Sequence, residues 1–176
     1  MRIDLILEAN SSPERIAELG RLAEQHGLGA IWVSGMLDAR DPFMCFTEAA
    51  RSTQRLRMGP IAVSPFELHP LKMATSLLTL NEACGGRAQI VVGGGGGTMT
   101  AMALQPTRRV RALRETLEIL RLAGQGRQVS YEGEIFKLRR YNPSWARSTP
   151  PVVYAGANRD SMQRMAARHA DGIMLS

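Results

Sequence analysis

Short apolar runs alternate along the chain with longer segments in which apolar residues recur at helical spacing. The runs of strand length cover residues 3–9, 30–33, 58–64, 88–92, 151–155 and 171–175. The helical segments begin near residues 13, 42, 70, 107 and 158. Pro13 and Pro70 stand at first helical positions, and Gly27, Gly85 and Gly124 stand where helices end. The pattern predicts six strands separated by helices.

Strands that alternate with helices indicate parallel pairing, because parallel neighbours need a crossover connection. Several strands are apolar on both faces, as expected where helices cover a sheet. Residues 128–138 depart from the alternation and predict a hairpin that turns at Glu132-Gly133. Two α/β architectures remain, an open doubly wound sheet and a closed barrel. Both place function at the carboxyl ends of the strands.

The residues at those strand ends are the pool from which a functional site must be drawn. They are Glu8 and Asn10, Ser34 and Gly35, Val63 and Ser64, Gly93 to Gly97, Gly156 to Asn158, and Ser176. Glu8 is the one weak candidate for a catalytic acid or base. His26 and His169 fall at predicted helix ends, where histidine complements the helix dipole, and His69 precedes a helix start. Paired carboxylates, a metal cluster and a Ser/His/Asp set are missing, which favours a cofactor that carries the chemistry itself.

Five consecutive glycines, Gly93 to Gly97, follow the fourth strand. Glycines let a backbone approach a ligand closely and present its N–H groups. The spacing GxGxxG fails in either register, and no Gly-Lys-Ser/Thr follows, so neither a dinucleotide fingerprint nor a P-loop is present. The run indicates a ligand-binding loop, with a flexible turn without a ligand as the alternative.

A second glycine-containing strand end is Gly156-Ala157-Asn158. One interpretation is an anion site, formed by N–H groups at a helix N-terminus. The other is an ordinary β-to-α turn in which Asn158 is the N-cap. Local sequence leaves the two open.

Length and composition indicate one globular domain over residues 1–176. Of these residues 44% are hydrophobic and 22% are charged. No apolar run approaches the roughly 20 residues that span a bilayer, and the N-terminus lacks the features of a signal peptide. We therefore expect a cytoplasmic protein without a membrane partner. Cys45 and Cys84 fall in separate predicted helices and are expected to be buried free thiols.

The net charge of +6 raises the question of nucleic acid. The densest basic stretch lies on a predicted helix that also carries acidic residues: Arg108, Arg109, Arg111 and Arg114 with Glu115 and Glu118. The spacing predicts the i,i+4 pairs Arg111–Glu115 and Arg114–Glu118. No aromatic residues are interleaved to stack on bases. We expect a solvated helix face and no nucleic-acid partner.

A longer block makes the chain recognisable. His69-Pro70, the segment ATSLLTLNEACGGR at residues 74–87 and the glycine-rich end of the fourth strand resemble the luciferase-like monooxygenase superfamily. Within that superfamily the chain resembles the coenzyme F420-dependent methylenetetrahydromethanopterin reductases and their relatives. Further agreements are Gly59-Pro60, Ser64-Pro65-Phe66, Tyr131-Glu132-Gly133, and Gly156-Ala157 followed by Ala170-Asp171-Gly172.

The resemblance implies a (β/α)₈ barrel of the TIM type, with the hairpin at about residues 128–141 as an insertion. It implies a bulge, often with a non-prolyl cis peptide, near residues 61–64 behind the cofactor ring. The cofactor would be F420 or FMN, exchanging a hydride with a small organic substrate. The residues implied in cofactor binding are Ala62, Val63, Ser64, Gly93, Gly94, Gly95, Gly96, Gly156, Ala157 and Asn158.

The chain departs from the family pattern in three ways. Gly35 and Met36 stand where F420-dependent members often carry Asp-His, and Ile61 replaces a glycine common at the bulge. The pattern also stops after strand six, whereas such a barrel needs roughly 250 residues. The chain is then a fragment, a domain completed by a partner in a homo-oligomer such as a dimer, or a degenerate copy. A non-catalytic flavin- or F420-binding protein is therefore the alternative to an oxidoreductase, and a Rossmann-type enzyme is a more distant one.

Overall fold

The computed structural model describes residues 2–175. The first four strands and the helices that follow them are β1 (Asp4–Leu7), α1 (Pro13–Gln25), β2 (Ala30–Ser34), a 3₁₀ turn (Met44–Phe46), α2 (Thr47–Ser52), β3 (Arg57–Val63), α3 (Pro70–Ala83), β4 (Gln89–Val92), α4 (Gly97–Ala101) and α5 (Arg109–Ala123). A hairpin of β5 (Val129–Glu132) and β6 (Lys137–Tyr141) follows. The last elements are β7 (Val152–Gly156), α6 (Asp160–His169) and β8 (Gly172–Met174).

The main sheet has six parallel strands in the order β1-β2-β3-β4-β7-β8. This order follows the chain without a reversal, whereas a doubly wound sheet reverses at a switch point. The sheet therefore curls as a half-barrel, and the prediction of a barrel that stops after six strands is confirmed. The hairpin β5–β6 is antiparallel and stands outside this sheet.

The helices pack on the outer face of the sheet and bury the main core. Ile16, Phe46, Leu77, Leu113 and Leu117 are all fully buried there. These residues keep the helical spacing that predicted the elements, because only one face of each helix meets the sheet. The main core therefore lies between the helices and the outer face of the sheet.

The inner face of the sheet carries a smaller cluster around Trp32. The rings of Trp32 and Tyr154 meet edge to face, with centroids 5.7 Å apart. The indole Nε1 donates to Asp4 Oδ2 at 3.2 Å, and Arg2 Nη2 donates to Gln89 Oε1 at 3.2 Å. Polar groups thus fill the inside of the half-barrel at the end opposite to the predicted site.

Local side chains set two helix starts where the sequence predicts them. Ser12 Oγ accepts from the Arg15 N–H at 3.3 Å, and His69 Nδ1 accepts from the Leu71 N–H at 3.2 Å. His69 therefore shapes the start of α3, as expected. His26 caps the end of α1, also as predicted.

Several predicted boundaries are wrong. The segment at 42–52 splits into a 3₁₀ turn and a short helix, and α5 begins at Arg109 because Arg108 takes a left-handed conformation with φ 51°. The short helix α4, which was not predicted, begins at Gly97, the last residue of the predicted glycine loop. The end of the chain also differs, because α6 begins at Asp160 rather than near 158.

One of the two predicted ion pairs on α5 is wrong. Arg114 and Glu118 do pair at 3.4 Å, but Arg111 pairs with Glu134 of the hairpin at 2.8 Å. Glu115 is fully buried instead and accepts backbone N–H bonds from the hairpin. Helical spacing indicates which residues are neighbours, but it does not show that Glu115 faces another element.

Cys45 and Cys84 are both buried and free, as predicted. Burial raises the pKa of the Cys45 thiol to about 12, with Asp41 adding to the effect. Burial also raises the pKa of the Cys84 thiol. Both thiols are therefore protonated near neutral pH, and the thiol is a poorer nucleophile than the thiolate. Among residues 2–175, no helix is long and apolar enough to cross a membrane.

The carboxylate of Glu24, at the end of α1, holds the turn before β3. It accepts the N–H groups of Gln54, Arg55 and Leu56, the last at 2.8 Å. Desolvation opposes ionisation, but these three bonds outweigh it and lower the pKa of Glu24 from the ordinary value of 4.5. A lowered pKa stabilises the fold above pH 4.5, and this stabilisation is lost as the pH falls below 4.5.

Replacing Glu24 with Gln is expected to cost about 1 kcal/mol at pH 7, since an amide has only one oxygen to accept these bonds. The variant should also lose less stability than the native protein on acidification. Urea unfolding at pH 7, 5, 4 and 3 measures both effects, with the exposed Glu82→Gln as control. If the free energy of unfolding of Glu24→Gln fell with pH as steeply as that of the native protein, the expectation would be contradicted.

Candidate functional site

A cavity of about 600 Å³ opens at the carboxyl ends of β2, β3, β4 and β7. This volume suits a small-molecule ligand. The residues that line it are Ser34, Gly35, Met36, Leu37, Ile61, Ala62, Ser64, Glu67, Gly93 to Gly97, Thr98, Gly156 and Asn158. Parallel strands bring these ends together although they are up to 124 positions apart, from Ser34 to Asn158. The predicted edge of the sheet is thus where the cavity lies.

The end of β3 forms a bulge at the floor of the cavity. Its pairing with β4 shifts register between Ile61 and Val63, and the Ile61–Ala62 peptide bond is cis. The Gly35 N–H donates to the Ile61 carbonyl at 3.1 Å and ties the loop after β2 to this bulge. Ala62 and Ser64 line the cavity, whereas Val63 is buried and does not.

The glycine loop is close-packed at two of its five positions. A Cβ at Gly93 would lie 2.9 Å from the Ala62 Cβ, and one at Gly95, where φ is +86°, would lie 2.7 Å from Met99 Cγ. At Gly96 and Gly97 an added Cβ would meet no atom within 4 Å. The loop therefore packs against the bulge at one end and is open at the other.

The backbone N–H groups of this loop also differ, because only the first of them is hydrogen-bonded to the sheet. The Gly93 N–H donates to the Val63 carbonyl at 3.0 Å and continues the sheet. The N–H groups of Gly94, Gly95, Gly96 and Gly97 have no hydrogen-bond acceptor within residues 2–175. All four residues line the cavity. They form a row of donors that a ligand with oxygen or nitrogen acceptors can use.

The third segment, residues 156–158, closes the cavity from β7. Gly156 and Asn158 line it, but Ala157 is buried and its N–H donates to the Met174 carbonyl at 3.0 Å. The interpretation of Asn158 as an N-cap is wrong, because Arg159 occupies that position in an extended conformation. The predicted anion site also loses the Ala157 N–H, which β8 already uses.

Glu8 lies away from this cavity. It is exposed just beyond the end of β1 and is not among the lining residues. Of the histidines, His169 ends α6 with its Nδ1 3.3 Å from Glu118 Oε1, which is consistent with a structural role. Ser176 lies outside the described residues. Within residues 2–175, no group of three or more His, Cys, Asp or Glu side chains could hold a metal ion.

Six lining residues were missed by reasoning from strand ends: Met36, Leu37, Ile61, Ala62, Glu67 and Thr98. Of these, only Ala62 was among the cofactor-binding residues implied by the family resemblance. Glu67 is the one with ionisable chemistry. Desolvation raises the pKa of its carboxyl above the ordinary 4.5, and a backbone hydrogen bond at Ser64 offsets part of this. The signal was present in the sequence, since Glu67 is the sole ionisable residue between β3 and the His69-Pro70 helix start.

Comparison with known proteins decides the family. The family model described as luciferase-like monooxygenase matches residues 1–176. The chain belongs to this family. The resemblance found in the sequence is therefore confirmed.

The relatives of this luciferase-like chain include F420- and FMN-linked proteins. The 5,10-methylenetetrahydromethanopterin reductase of Archaeoglobus fulgidus is 29% identical over 157 residues, which are 89% of this chain and 47% of that protein. The coenzyme F420-dependent tetrahydromethanopterin reductase of Methanopyrus kandleri superposes with a TM-score of 0.88 at 24% identity, over 99% of this chain and 55% of that one. The oxygenating constituent of 3,6-diketocamphane monooxygenase from Pseudomonas putida, in complex with FMN, superposes with a TM-score of 0.73 at 18% identity, over 98% and 56% of the two chains. The chain spans about half the length of the curated relatives it matches.

The departures of this luciferase-like chain from the family pattern fall on the cavity itself. Gly35 and Met36, which stand where F420-dependent members often carry Asp-His, both line it. Ile61 at the bulge also lines it. A Cβ at position 35 would lie 3.2 Å from the Ala62 carbonyl oxygen, so the loop after β2 packs closely on the bulge.

Proposed function

We propose that this chain is the ring-binding part of an oxidoreductase that uses F420 or FMN to transfer a hydride to or from a small organic substrate. The observation that carries the proposal is the cavity wall made by Gly94 to Gly97, with four N–H donors in a row beside the β3 bulge. Family membership supports it, as do relatives whose names include F420 or FMN.

The residues present fit a flat heterocycle. Side chains are absent along the five-glycine wall, and a Cβ at Gly96 or Gly97 would project into open space. Ala62 and Ser64 would form the surface behind the ring, and the Gly94–Gly97 N–H groups would donate to ring or phosphate oxygens. Gly156 and Asn158 would close the opposite side. Val63 and Ala157, which the resemblance also implies in cofactor binding, are buried next to the cavity. They would contribute by holding the backbone of its lining in place.

A bound flavin or deazaflavin supplies the hydride chemistry that the side chains lack. The chain's own residues would bind and orient the ring and exclude water from it. The bulge fixes Ala62 against Gly93, so the floor of the cavity is formed before a ligand arrives. Such preorganisation lowers the ordering cost of binding.

Titration of the purified protein with FMN and, separately, with F420 tests this proposal. We expect saturable 1:1 quenching of ring fluorescence with at least one of the two. A bound ring should also be reduced or reoxidised faster than the free ring with a suitable small substrate. Absence of binding by both ligands would overturn the proposal, and binding without any hydride exchange would favour a non-catalytic binding protein.

A leucine at position 97 tests whether the ring occupies this cavity. Gly97→Leu should weaken ring binding by about tenfold or more, equivalent to at least about 1.4 kcal/mol, because the new side chain enters the open space beside the wall. Thr100→Leu on the same helix is the matched control, since Thr100 is exposed and does not line the cavity. Both variants should unfold like the native protein. Equal ring affinity in the two variants would place the ligand elsewhere.

A partner-completed half-barrel is the second candidate, and the sheet edges favour it. Within residues 2–175, neither β1 nor β8 has an outer neighbour, and unpaired edges are prone to pairing. The adjacent side chains Ile6 and Ile173 are 57% and 39% exposed. We expect the purified chain to form a homodimer through these edges. Light scattering after gel filtration measures this, and a monomer at all concentrations would contradict it.

Two further predictions concern partners and location. Arg108 and Arg111 contact Glu134, and Arg114 contacts Glu118, so acidic neighbours offset the basic stretch. This supports a protein whose ligands are small molecules rather than nucleic acids.

The buried, unpaired Cys45 and Cys84 suit a reducing compartment such as the cytoplasm.

A further inference from the structure

The turn between β3 and α3 presents a single carboxylate to the cavity. Glu67 is the only ionisable side chain among the residues that line the cavity within the described part of the chain. It is half-buried, whereas Glu8, the candidate from the sequence, is exposed and does not line the cavity. A lone carboxyl among glycines, small residues and apolar side chains can exchange a proton with a bound molecule.

The turn that carries Glu67 is fixed on both sides. The N–H groups of Glu67 and Leu68 donate to the Ser64 carbonyl at 3.1 and 3.0 Å, and the Phe66 N–H donates to Ser64 Oγ at 3.3 Å. Leu68 packs against the main core and Phe66 against the cluster beneath the hairpin. The backbone at Glu67 is therefore held in place, as a proton-transfer group requires.

We infer that Glu67 is the acid–base residue of the cavity, serving a substrate whose reacting carbon is double-bonded to oxygen or nitrogen. This inference rests on the proposed function. When the carbon gains a hydride from the reduced flavin or deazaflavin, the π electron pair moves to the heteroatom. That atom takes the proton of the Glu67 carboxylic acid, which leaves a carboxylate that solvent reprotonates. In the opposite direction the carboxylate accepts the proton as the carbon loses hydride.

The cavity also indicates the charge of this substrate. Charged and titratable groups on the segments around its rim are Glu8 after β1, Asp38, Arg40 and Asp41 on the loop after β2, His69 just before α3, Lys72 on α3, Arg109 on α5 and Arg159 just before α6, but none of them lines it. Arg109 approaches the glycine loop, where its Cδ lies 3.8 Å from a Cβ placed at Gly94. A carboxylate or phosphate next to the Glu67 carboxyl, in contrast, would be repelled by its ionised form. The reacting end of the substrate, next to Glu67, is therefore neutral, as in an aldehyde, a ketone or an imine.

Desolvation agrees with this role, since it raises the pKa of the Glu67 carboxyl above 4.5. The acid form therefore persists to a higher pH than in water. Substrate reduction should slow as the pH rises through this pKa, and the reverse oxidation should speed up.

Glu67→Gln, with Glu82→Gln as the matched exposed control, tests the inference. The first readout is ring binding, which both variants should retain within about threefold of the native value, or about 0.7 kcal/mol. The second is anaerobic reoxidation of the bound reduced ring by a small aldehyde, ketone or cyclic imine. Glu67→Gln should slow it by about 100-fold or more and abolish its pH dependence. Unchanged rate and pH profile would overturn the inference, as would a loss confined to ring binding.

A third measurement uses the protein alone, without a bound cofactor and without a substrate. Infrared difference spectra of the protein alone should show a carboxylic C=O band that titrates above pH 4.5 in the native protein and in Glu82→Gln, but not in Glu67→Gln. A band that persists in Glu67→Gln, or that is missing in the native protein, would overturn the inference whether or not a probe substrate reacts. Failure of both rings to bind would instead overturn the proposed function.

Discussion

Replacing Gly59 with alanine is expected to destabilise the protein by about 3 kcal/mol or more, at the upper end for overpacking. Gly59 lies in β3, opposite Trp32 of β2. A Cβ at this position would overlap the backbone carbonyl oxygen of Gln89 and lie 2.6 Å from its carbonyl carbon. Backbone atoms of a paired strand cannot rotate away as a flexible side chain does, so β3 and β4 would have to separate.

The effect should reach the candidate site. Gln89 opens β4, whose other end continues into the glycine loop, and its side chain is fully buried. A displaced β4 would move Gly93 away from Ala62, so Gly59→Ala should lose ring binding as well as stability. Met58 and Ala88 form a bridge beside the same contact, which leaves the strands little freedom to adjust.

Urea unfolding of Gly59→Ala beside Gly97→Ala measures this effect. The control adds the same methyl group where no atom lies within 4 Å and where the residue is helical, so it should change stability by no more than about 0.5 kcal/mol. A Gly59→Ala protein within about 1 kcal/mol of the native one would show that the two strands are not close-packed there.

The sequence predicted the sheet better than the turns. Strand and helix periodicity reflect which faces are buried, so all six strands were predicted with small errors at their ends. The strand ends meet at one edge because the strands are parallel, and this brings Ala62, Ser64, Gly93 to Gly96, Gly156 and Asn158 around one cavity. The barrel itself followed from the family resemblance, since periodicity alone left a doubly wound sheet open.

Turns were missed where contacts distant in sequence decide them. A five-residue helix that begins with glycine has little intrinsic stability, yet α4 forms with Met99 buried beneath it. Glu67 escaped notice because the bonds to the Ser64 carbonyl fold the turn back toward the cavity. Asn158 was misplaced because the chain stays extended through Arg159 before α6 begins.

The Glu115 carboxylate holds the turn of the hairpin to α5. It is 0% exposed and accepts the N–H groups of Glu134, Ile135 and Phe136 at 2.9, 3.0 and 2.9 Å. A buried carboxylate without such donors would be strongly unfavourable, and buried donors without an acceptor are costly as well. The two halves of this contact therefore depend on each other.

Glu115→Ala should reduce the free energy of unfolding by about 3 kcal/mol, because the buried Phe136 N–H and the part-buried Glu134 and Ile135 N–H groups lose their acceptor at about 1–3 kcal/mol each and water recovers part of this at the two part-buried groups. Glu115→Gln keeps the volume but turns an NH₂ group toward at least one N–H, so it should lose less, about 2 kcal/mol. Glu82→Ala, on the exposed side of α3, should have little effect. Urea unfolding ranks the three variants.

Hydrogen exchange separates a local from a global effect of Glu115→Ala. The amides of residues 134–136 should exchange faster than the global loss of stability explains, whereas those of β4 should follow it. Equal changes at both places would mean that the hairpin is not held by this carboxylate.

The hairpin also supports the wall that carries Glu67. Phe136 meets the His69 ring edge to face at 5.4 Å, and its cluster includes Phe66 and Leu71. Loosening the hairpin should therefore free the turn between β3 and α3, so that Glu115→Ala weakens the function of Glu67 without touching the cavity. We expect Glu115→Gln to retain both the slow exchange of the hairpin amides and the pH profile that depends on Glu67, and Glu115→Ala to lose both. This result would mean that the hairpin holds the turn carrying Glu67 in place.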